Sequence, residues 1–291
     1  MKVGPWWLLV AWTLASAPGR ARSDEAPGPV ADRALIIVGL PGDREHELLF
    51  RTTAGAWRAW LTGPLGFPET GVRLLAGSTA EEGFADAPAT RESIAREVEA
   101  VVAGSGPAGR TWVLVLGHAN VDDGHAFLHL PGPDFRDDEF GAIFRGLKGR
   151  EQVFWITTPA AGWFLPPLST PGRVVVAATE RDAEFNETEF PHALAEVSRL
   201  PSSRLDANND GRVSVAELFA ATVDRVEARF AADKRIPTEH AQLDDDGDGR
   251  GTEPRSPARS PAPDGALAAR TFPPAPRTPV VPRGNPPRSR P

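Results

Sequence analysis

The chain has 291 residues, 41% hydrophobic and 24% charged, the composition of a globular protein able to bury a sizeable core. Its formal charge is -7, but the stretch 254–291 holds seven Arg against one acid, Asp264, so the remainder carries 25 basic and 38 acidic residues. Such a field disfavours nucleic acid and suits a cation-binding protein, and the absence of cysteine excludes disulfides, thiolate metal sites and a cysteine nucleophile.

Lys2, the apolar run from Trp6 to Ala15 and the small-x-small triplet Ala15-Ser16-Ala17 predict a signal peptide over 1–22 and export to a periplasmic, extracellular or cell-surface location. The other reading of this run is an uncleaved anchor. It is shorter than the roughly 20 residues that span a bilayer, and no second long apolar run follows, so no integral membrane segment is expected once the signal is cleaved. Residues 23–32 read as a polar, Pro-containing linker. From 33 to 200, short apolar runs alternate with helical patterns. Strands are expected at Ala34 to Val38, Val72 to Leu75, Trp112 to Leu116, Val153 to Ile156 and Val174 to Ala177, and helices at Leu48 to Leu61, Arg91 to Val102 and Asp137 to Leu147. Strands this continuously apolar are buried on both faces, so the fold class is α/β with a doubly wound, mostly parallel sheet. In such sheets the ligand site lies beyond the carboxyl ends of the strands, where strand order reverses. That puts Gly39 to Asp43, Gly117 to His125, Thr157 to Gly162 and Thr179 to Asp182 on the functional rim.

Residues 201–253 carry two acidic loops. A calcium ion takes hard oxygen ligands from positions 1, 3, 5, 7, 9 and 12 of a twelve-residue loop with Gly at 6. DANNDGRVSVAE fills those positions with Asp206, Asn208, Asp210, the Arg212 carbonyl, Ser214 and Glu217, with Gly211 at the turn. The amphipathic run from Val215 to Phe230 is the helix leaving this loop, and Pro201 interrupts the helix entering it. An acidic turn that merely caps the next helix needs one carboxylate, not this whole spacing. The second loop offers Asp244, Asp246 and Asp248, then Gly249 and Thr252, but Arg255 stands at position 12. It reads either as a weaker calcium site completed by Glu253 or by groups from elsewhere, or as a solvated acidic turn. His240 beside Glu239 is expected to pack or cap near it. The tail 254–291 holds twelve of the 30 prolines and is expected to be disordered or polyproline-like.

Two further segments bear on activity. Gly117 and His118 follow the strand TWVLVL, and the next strand, QVFWI, runs into TTPAAGW. This arrangement resembles the caspase and legumain clan of cysteine peptidases, in which one strand ends in Gly-His-Gly and the next in Cys-x-Ser-Gly. Gly117 and His118 match the first pair and Ala119 stands where the second Gly would be. Pro159, Ala160, Ala161 and Gly162 stand where Cys-x-Ser-Gly would be. The resemblance extends over roughly 34–253 and includes GLPG, LPGPDF, RVVVAATERDAEFNETEF and TEHAQLDDDGDG, as in bacterial caspase-like proteins with an appended EF-hand-type segment. It implies a caspase-like α/β domain over 33–200 with His118 vestigial and proline at the nucleophile position, Pro159. Proline has no nucleophilic side chain, so the family's acyl-enzyme chemistry cannot run there.

The expectation is an exported calcium-binding protein with an inactive caspase-like domain that binds a peptide or protein at the sheet rim. The alternative is a hydrolase without cysteine. It would use Thr157 or Thr158 with His118, or a metal held by His118, His125 and His129 with Asp122 and Asp123. Asn186-Glu187-Thr188 also matches a glycosylation acceptor, which matters only in a eukaryotic secretory pathway.

Overall fold

The computed structural model describes residues 32–78, 83–181, 184–254 and 264–272. The predicted leader, nearly all of the linker and most of the predicted tail lie outside them. In chain order the elements are β1 (Arg33–Val38), α1 (Arg44–Thr62), β2 (Val72–Ala76), β3 (Ala87–Pro88), α2 (Arg91–Gly104), β4 (Arg110–Leu116), β5 (Ala119–Asp122), β6 (His125–Leu128), β7 (Phe135–Arg136), α3 (Asp137–Ile143), β8 (Glu151–Ile156), α4 (Leu165–Leu168), β9 (Val174–Ala177), α5 (Phe190–Val197), α6 (Ser202–Leu205), α7 (Val215–Ala232) and β10 (Gln242–Asp244). The five predicted strands and three predicted helices are all present, the third ending at Ile143, short of the expected Leu147, where the chain turns before β8.

Seven strands form one sheet in the order β10-β9-β8-β4-β1-β2-β3. All pairings are parallel except that of β10 with β9, which is antiparallel. Strand order reverses between β1 and β4, because the chain moves outward to β2 and then returns to the other side of β1. All seven residues of β4 are buried, the apolar run Trp112 to Leu116 as a strand covered on both faces requires and Arg110 through its pair with Asp32 (2.8 Å). β5, β6 and β7 form a separate antiparallel sheet.

Helices cover both faces. On one face α1 buries Phe50, Ala54, Trp57 and Leu61 at helical spacing and packs against β1, β2 and α5, while α5 packs against α7. Aromatic contacts cross this layer from the sheet outward. Trp112 meets Trp60 (5.7 Å) and Trp155 (6.4 Å), Trp155 meets Phe190 (6.3 Å), and Phe190 meets Phe219 of α7 (6.5 Å). On the other face Phe154 packs on Phe144, and Phe140 on Phe144, Phe164 and Phe135. Ring pairs in edge or tilted contact add roughly 0.5–1.5 kcal/mol each beyond the area they bury.

The segment after residue 200 is therefore continuous with the main core. Leu218, Phe219, Val226 and Phe230 of α7 are buried in it, and β10 is the last strand of the main sheet. The expected interruption at Pro201 is present, with α5 ending at Val197 and the four-residue α6 starting after it. The structure departs from the expectation for the tail over 264–272. There Ala268–Arg270 forms a 3-10 turn, Ala268 is fully buried, and the Thr271 carbonyl accepts from Val215 N (2.9 Å). The reason is local. GALAAR lacks proline and supplies small apolar residues, and the Asp245 carboxylate accepts from Gly265 N (2.9 Å) and Ala268 N (2.7 Å).

One buried acid couples this fold to pH. Glu239 is 7% exposed and accepts from Glu189 N (2.9 Å) at the start of α5, while its Oε2 has no hydrogen-bond partner among the described residues. Burial, with help from Glu189 and Glu184, pushes its carboxyl up to about 8 from the ordinary 4.5. The folded chain thus holds a proton that the unfolded chain releases near pH 4.5. The resulting stability is complete below that value and is lost as pH rises toward 8. Glu239→Gln is expected to remove this fall and to raise stability at pH 8 by on the order of 4 kcal/mol, measured by denaturant unfolding across the pH range.

Candidate functional site

The rim is assembled where the parallel ladder runs past the strand ends. Gly39 N donates to Leu116 O, Gly77 N to Val38 O, and Thr157 N to Val115 O. Backbone approaches backbone closely here. A Cβ on Gly77 would lie 2.7 Å from the Gly39 carbonyl carbon, and one on Gly39 would lie 2.7 Å from His129 O. Only glycine fits at either position. The loop after β1 is also held by Leu40 N, which donates to His129 O (2.9 Å).

His118, directly after β4, is partly buried. Its Nε2 lies 3.0 Å from Pro41 O and its Nδ1 lies 3.6 Å from Glu187 Oε1. His46, in the first turn of α1, stacks edge-on against it at 5.1 Å. The helix cap Asp43 serves His46 twice, accepting from its backbone N (2.9 Å) and from its ring Nδ1 (2.7 Å). The other ring nitrogen of His46, Nε2, lies 2.9 Å from Glu187 Oε2. Hydrogen bonds to Glu187 and then Asp43 raise the His46 imidazole above its ordinary value, so a proton between the two carboxylates is favoured. His192, beyond them, is partly buried and pushed down to about 4 by desolvation, so it is neutral. A small cleft is lined by His46, Phe50, His118, Pro159, Glu187 and His192.

Pro159 therefore faces the same cleft as His118. The turn after it is tight: Ala160 is fully buried with a left-handed backbone (φ 54°), and its N donates to Glu184 O (3.0 Å). The two hydroxyls considered as substitutes are not brought to His118. Thr157 is fully buried and its Oγ1 donates to Val115 O (2.6 Å), while Thr158 is fully buried beneath the rim. Nor do His118, His125 and His129 converge with Asp122 and Asp123. His125 pairs with Asp137 (2.9 Å) and His129 with Asn120 (2.8 Å) on the small antiparallel sheet. His129 lies beside His118 through the backbone, its N donating to His118 O (3.0 Å), but its ring is engaged by Asn120. Sequence reasoning put Asp43 on the rim but missed His46 and Glu187, which lie 72 residues before His118 and 28 after Pro159. The aspartate cap before α1 was the visible signal for His46.

The first acidic loop is folded around its own amides. Asp206 accepts from Asp210 N (3.0 Å) and Gly211 N (2.8 Å), Asn208 Oδ1 from Asp210 N (2.8 Å), and Asp210 from Arg212 N (2.9 Å). Gly211 takes a left-handed conformation (φ 84°) at the turn. Glu217 reaches back to Ala207 N (2.9 Å) and Ser214 N (2.8 Å), and with Ser214 it forms a capping box on α7. The Arg212 guanidinium lies over Phe272, 3.5 Å from the ring centroid, which ties the loop to the returning segment 264–272.

The second loop is anchored more firmly. β10 ends on Asp244, which is 1% exposed, and Leu243 and Thr252 exchange both backbone hydrogen bonds across the loop's base. Asp244 accepts from Gly247 N (2.8 Å), Gly249 N (2.7 Å) and Ser169 Oγ (2.5 Å). Carboxylate oxygens of Asp244, Asp246 and Asp264 lie within 4.8 Å of one another. Burial raises the carboxyls of Asp244 and Asp264, with neighbouring aspartates adding to it. Asp248 instead accepts from Arg250 N (2.7 Å), and Thr252 Oγ1 donates to Asp264 Oδ2 (2.7 Å). Asp264 was placed in the tail from sequence, and only the chain's return brings it here. The carboxylates of Asp206, Asp210 and Glu217 do not converge to this degree. Near this loop His240 N donates to Glu184 (2.9 Å) and its exposed ring pairs with the same carboxylate, an ion-pair contact in place of the packing or cap expected of it.

No family model matches this chain, and no curated protein matches it. Solved structures similar to it include caspase-1 from Spodoptera frugiperda, at 10% identity over 74% of this chain and 88% of that chain, with a TM-score of 0.46. The Drosophila initiator caspase Dronc is also similar, at 10% identity over 87% of this chain and 98% of that chain (TM-score 0.44). A third is protein GSU0716 from Geobacter sulfurreducens, at 12% identity over 77% of this chain and 98% of that chain (TM-score 0.44). Among the described residues, no helix is long and apolar enough to cross a membrane.

Proposed function

We propose that this is an exported calcium-binding protein whose α/β domain is a caspase-like pseudopeptidase acting through peptide or protein binding at its rim. The observation that carries the reading is Pro159, which lines the His118 cleft at the end of β8, where the resembled clan has its cysteine. Without a nucleophile beside it, His118 has nothing to activate. Exposed Leu40, Leu48, Leu49 and Phe185 lie on the segments that carry Pro41, His46 and Glu187. Apolar side chains around a polar cleft suit an extended peptide better than a small polar ligand.

Calcium enters through the two acidic loops. Asp206, Asn208, Asp210, the Arg212 carbonyl, Ser214 and Glu217 offer hard oxygens in the EF-hand order, and Gly211 already makes the required turn. In the second loop Asp244, Asp246 and Asp248 are joined by Asp264, which supplies the carboxylate that Arg255 cannot. Calcium there would tie β10 to the returning segment 264–272, and calcium in the first loop would tie α6 to α7. The ion supplies charge neutralisation and cross-linking of carboxylates and needs no catalytic role.

Calorimetry should find two calcium ions per chain. Asp206→Ala is expected to remove one of them and Asp264→Ala the other, whereas undiminished uptake in either variant overturns that loop's assignment. A broad panel of peptide and ester substrates is expected to show no turnover. Hydrolysis that disappears in His118→Ala would establish the competing hydrolase reading instead.

A further inference from the structure

The rim carries a second set of donors that neither calcium nor the missing thiolate uses. Two of its imidazoles, those of His46 and His118, are each held by one ring nitrogen and present the other. His46 Nδ1 is fixed by the Asp43 carboxylate (2.7 Å) and His118 Nε2 by the Pro41 carbonyl (3.0 Å). A neutral ring that donates from one nitrogen is an acceptor at the other. His46 Nε2 and His118 Nδ1 are the nitrogens left, and both turn to one carboxylate, at 2.9 Å from Glu187 Oε2 and 3.6 Å from Glu187 Oε1. The three groups come from three separate elements: the first turn of α1, the end of β4 and the loop before α5.

We infer that His46, His118 and Glu187 form a binding site for a divalent transition metal of the zinc class. Bonds of about 2.0–2.1 Å in a tetrahedron place donor atoms roughly 3.3 Å apart; the two imidazole nitrogens stand at 2.9 Å and 3.6 Å from the two different oxygens of the one carboxylate, close to that value. All three ligand atoms lie within 4.8 Å of one another. Imidazole nitrogens select zinc, cobalt, nickel or copper over calcium, so this site and the acidic loops take different ions from the same solution. Asp43 and the Pro41 carbonyl are the outer partners that metal-bound histidines require to fix ring orientation and tautomer. Three protein ligands leave a fourth position for water or a ligand's carboxylate, on the side of the cleft lined by Pro159. Both ring nitrogens of His46 face carboxylates, so a metal and a proton compete for it.

The test is titration of the full chain with Zn2+ and Co2+ in saturating calcium, which occupies the oxygen sites. One zinc per chain is expected, with a visible Co2+ absorption that zinc abolishes. His46→Gln, His118→Gln and Glu187→Gln should each weaken zinc by roughly tenfold or more, and Asp43→Asn by roughly tenfold through ring orientation alone. His125→Gln, at the separate His125, Asp137 and Asp138 cluster, should leave affinity unchanged. Unaltered calcium uptake reports that each variant is folded, and the exposed Glu187 keeps one variant free of packing effects. Absence of zinc binding in saturating calcium, wild-type affinity in His46→Gln or Glu187→Gln, or loss of binding in His125→Gln would each overturn the site.

Discussion

The parallel register of β1, β4, β8 and β9 is the constraint on which everything else in this molecule rests. It brings Val38, Leu116, Ile156 and Ala177 to the same end of the sheet, so the loops after them share one rim. The ladder continues past the strands through Gly39, Gly77 and Thr157, and the glycines let neighbouring backbones touch. His118 and Pro159, 41 residues apart in sequence, face one cleft because β4 and β8 are adjacent. A side chain on Gly39 or Gly77 would push those loops apart before it affected any residue with chemistry.

The same sheet organises the C-terminal part. β10 adds an antiparallel edge to β9 and ends on Asp244, so the second acidic loop begins at a fixed point of the core. The aromatic path from Trp112 through Trp155 and Phe190 to Phe219 seats α7, and the capping box of Ser214 and Glu217 starts that helix from the first loop. Asp245, between these features, gathers the segment 264–272 through Gly265 and Ala268. The two loops are thus joined through one short stretch of chain, with Asp264 at one end and Phe272 at the other.

Much of this was legible because apolar runs in a parallel sheet are unbroken and helices repeat their buried positions. β1, β2, β4, β8 and β9 and the helices α1, α2 and α3 follow from that pattern, as do His118 and Pro159 at strand ends. The short elements were not legible. β3 has two residues and β10 three, too few for any period to register, and both are strands only because a longer neighbour supplies their hydrogen bonds. Asp264 lay hidden for a different reason: a proline- and arginine-rich composition describes a tail on average, and nine residues within it escape that average. His46 and Glu187 are ordinary surface residues in sequence. Only the packing of α1 and the loop before α5 over the end of β4 brings them to His118.

These relations make the acidic loops part of the architecture of the sheet, and under the proposed reading calcium would act as a clasp on the last third of the chain. Hydrogen exchange of the full chain with and without calcium reads this directly, because local opening sets the rate at each amide. The account predicts slower exchange in calcium over residues 206–217, 244–252 and 264–272 and little change in β1 and β4. Identical exchange at those loops in the two conditions would contradict it.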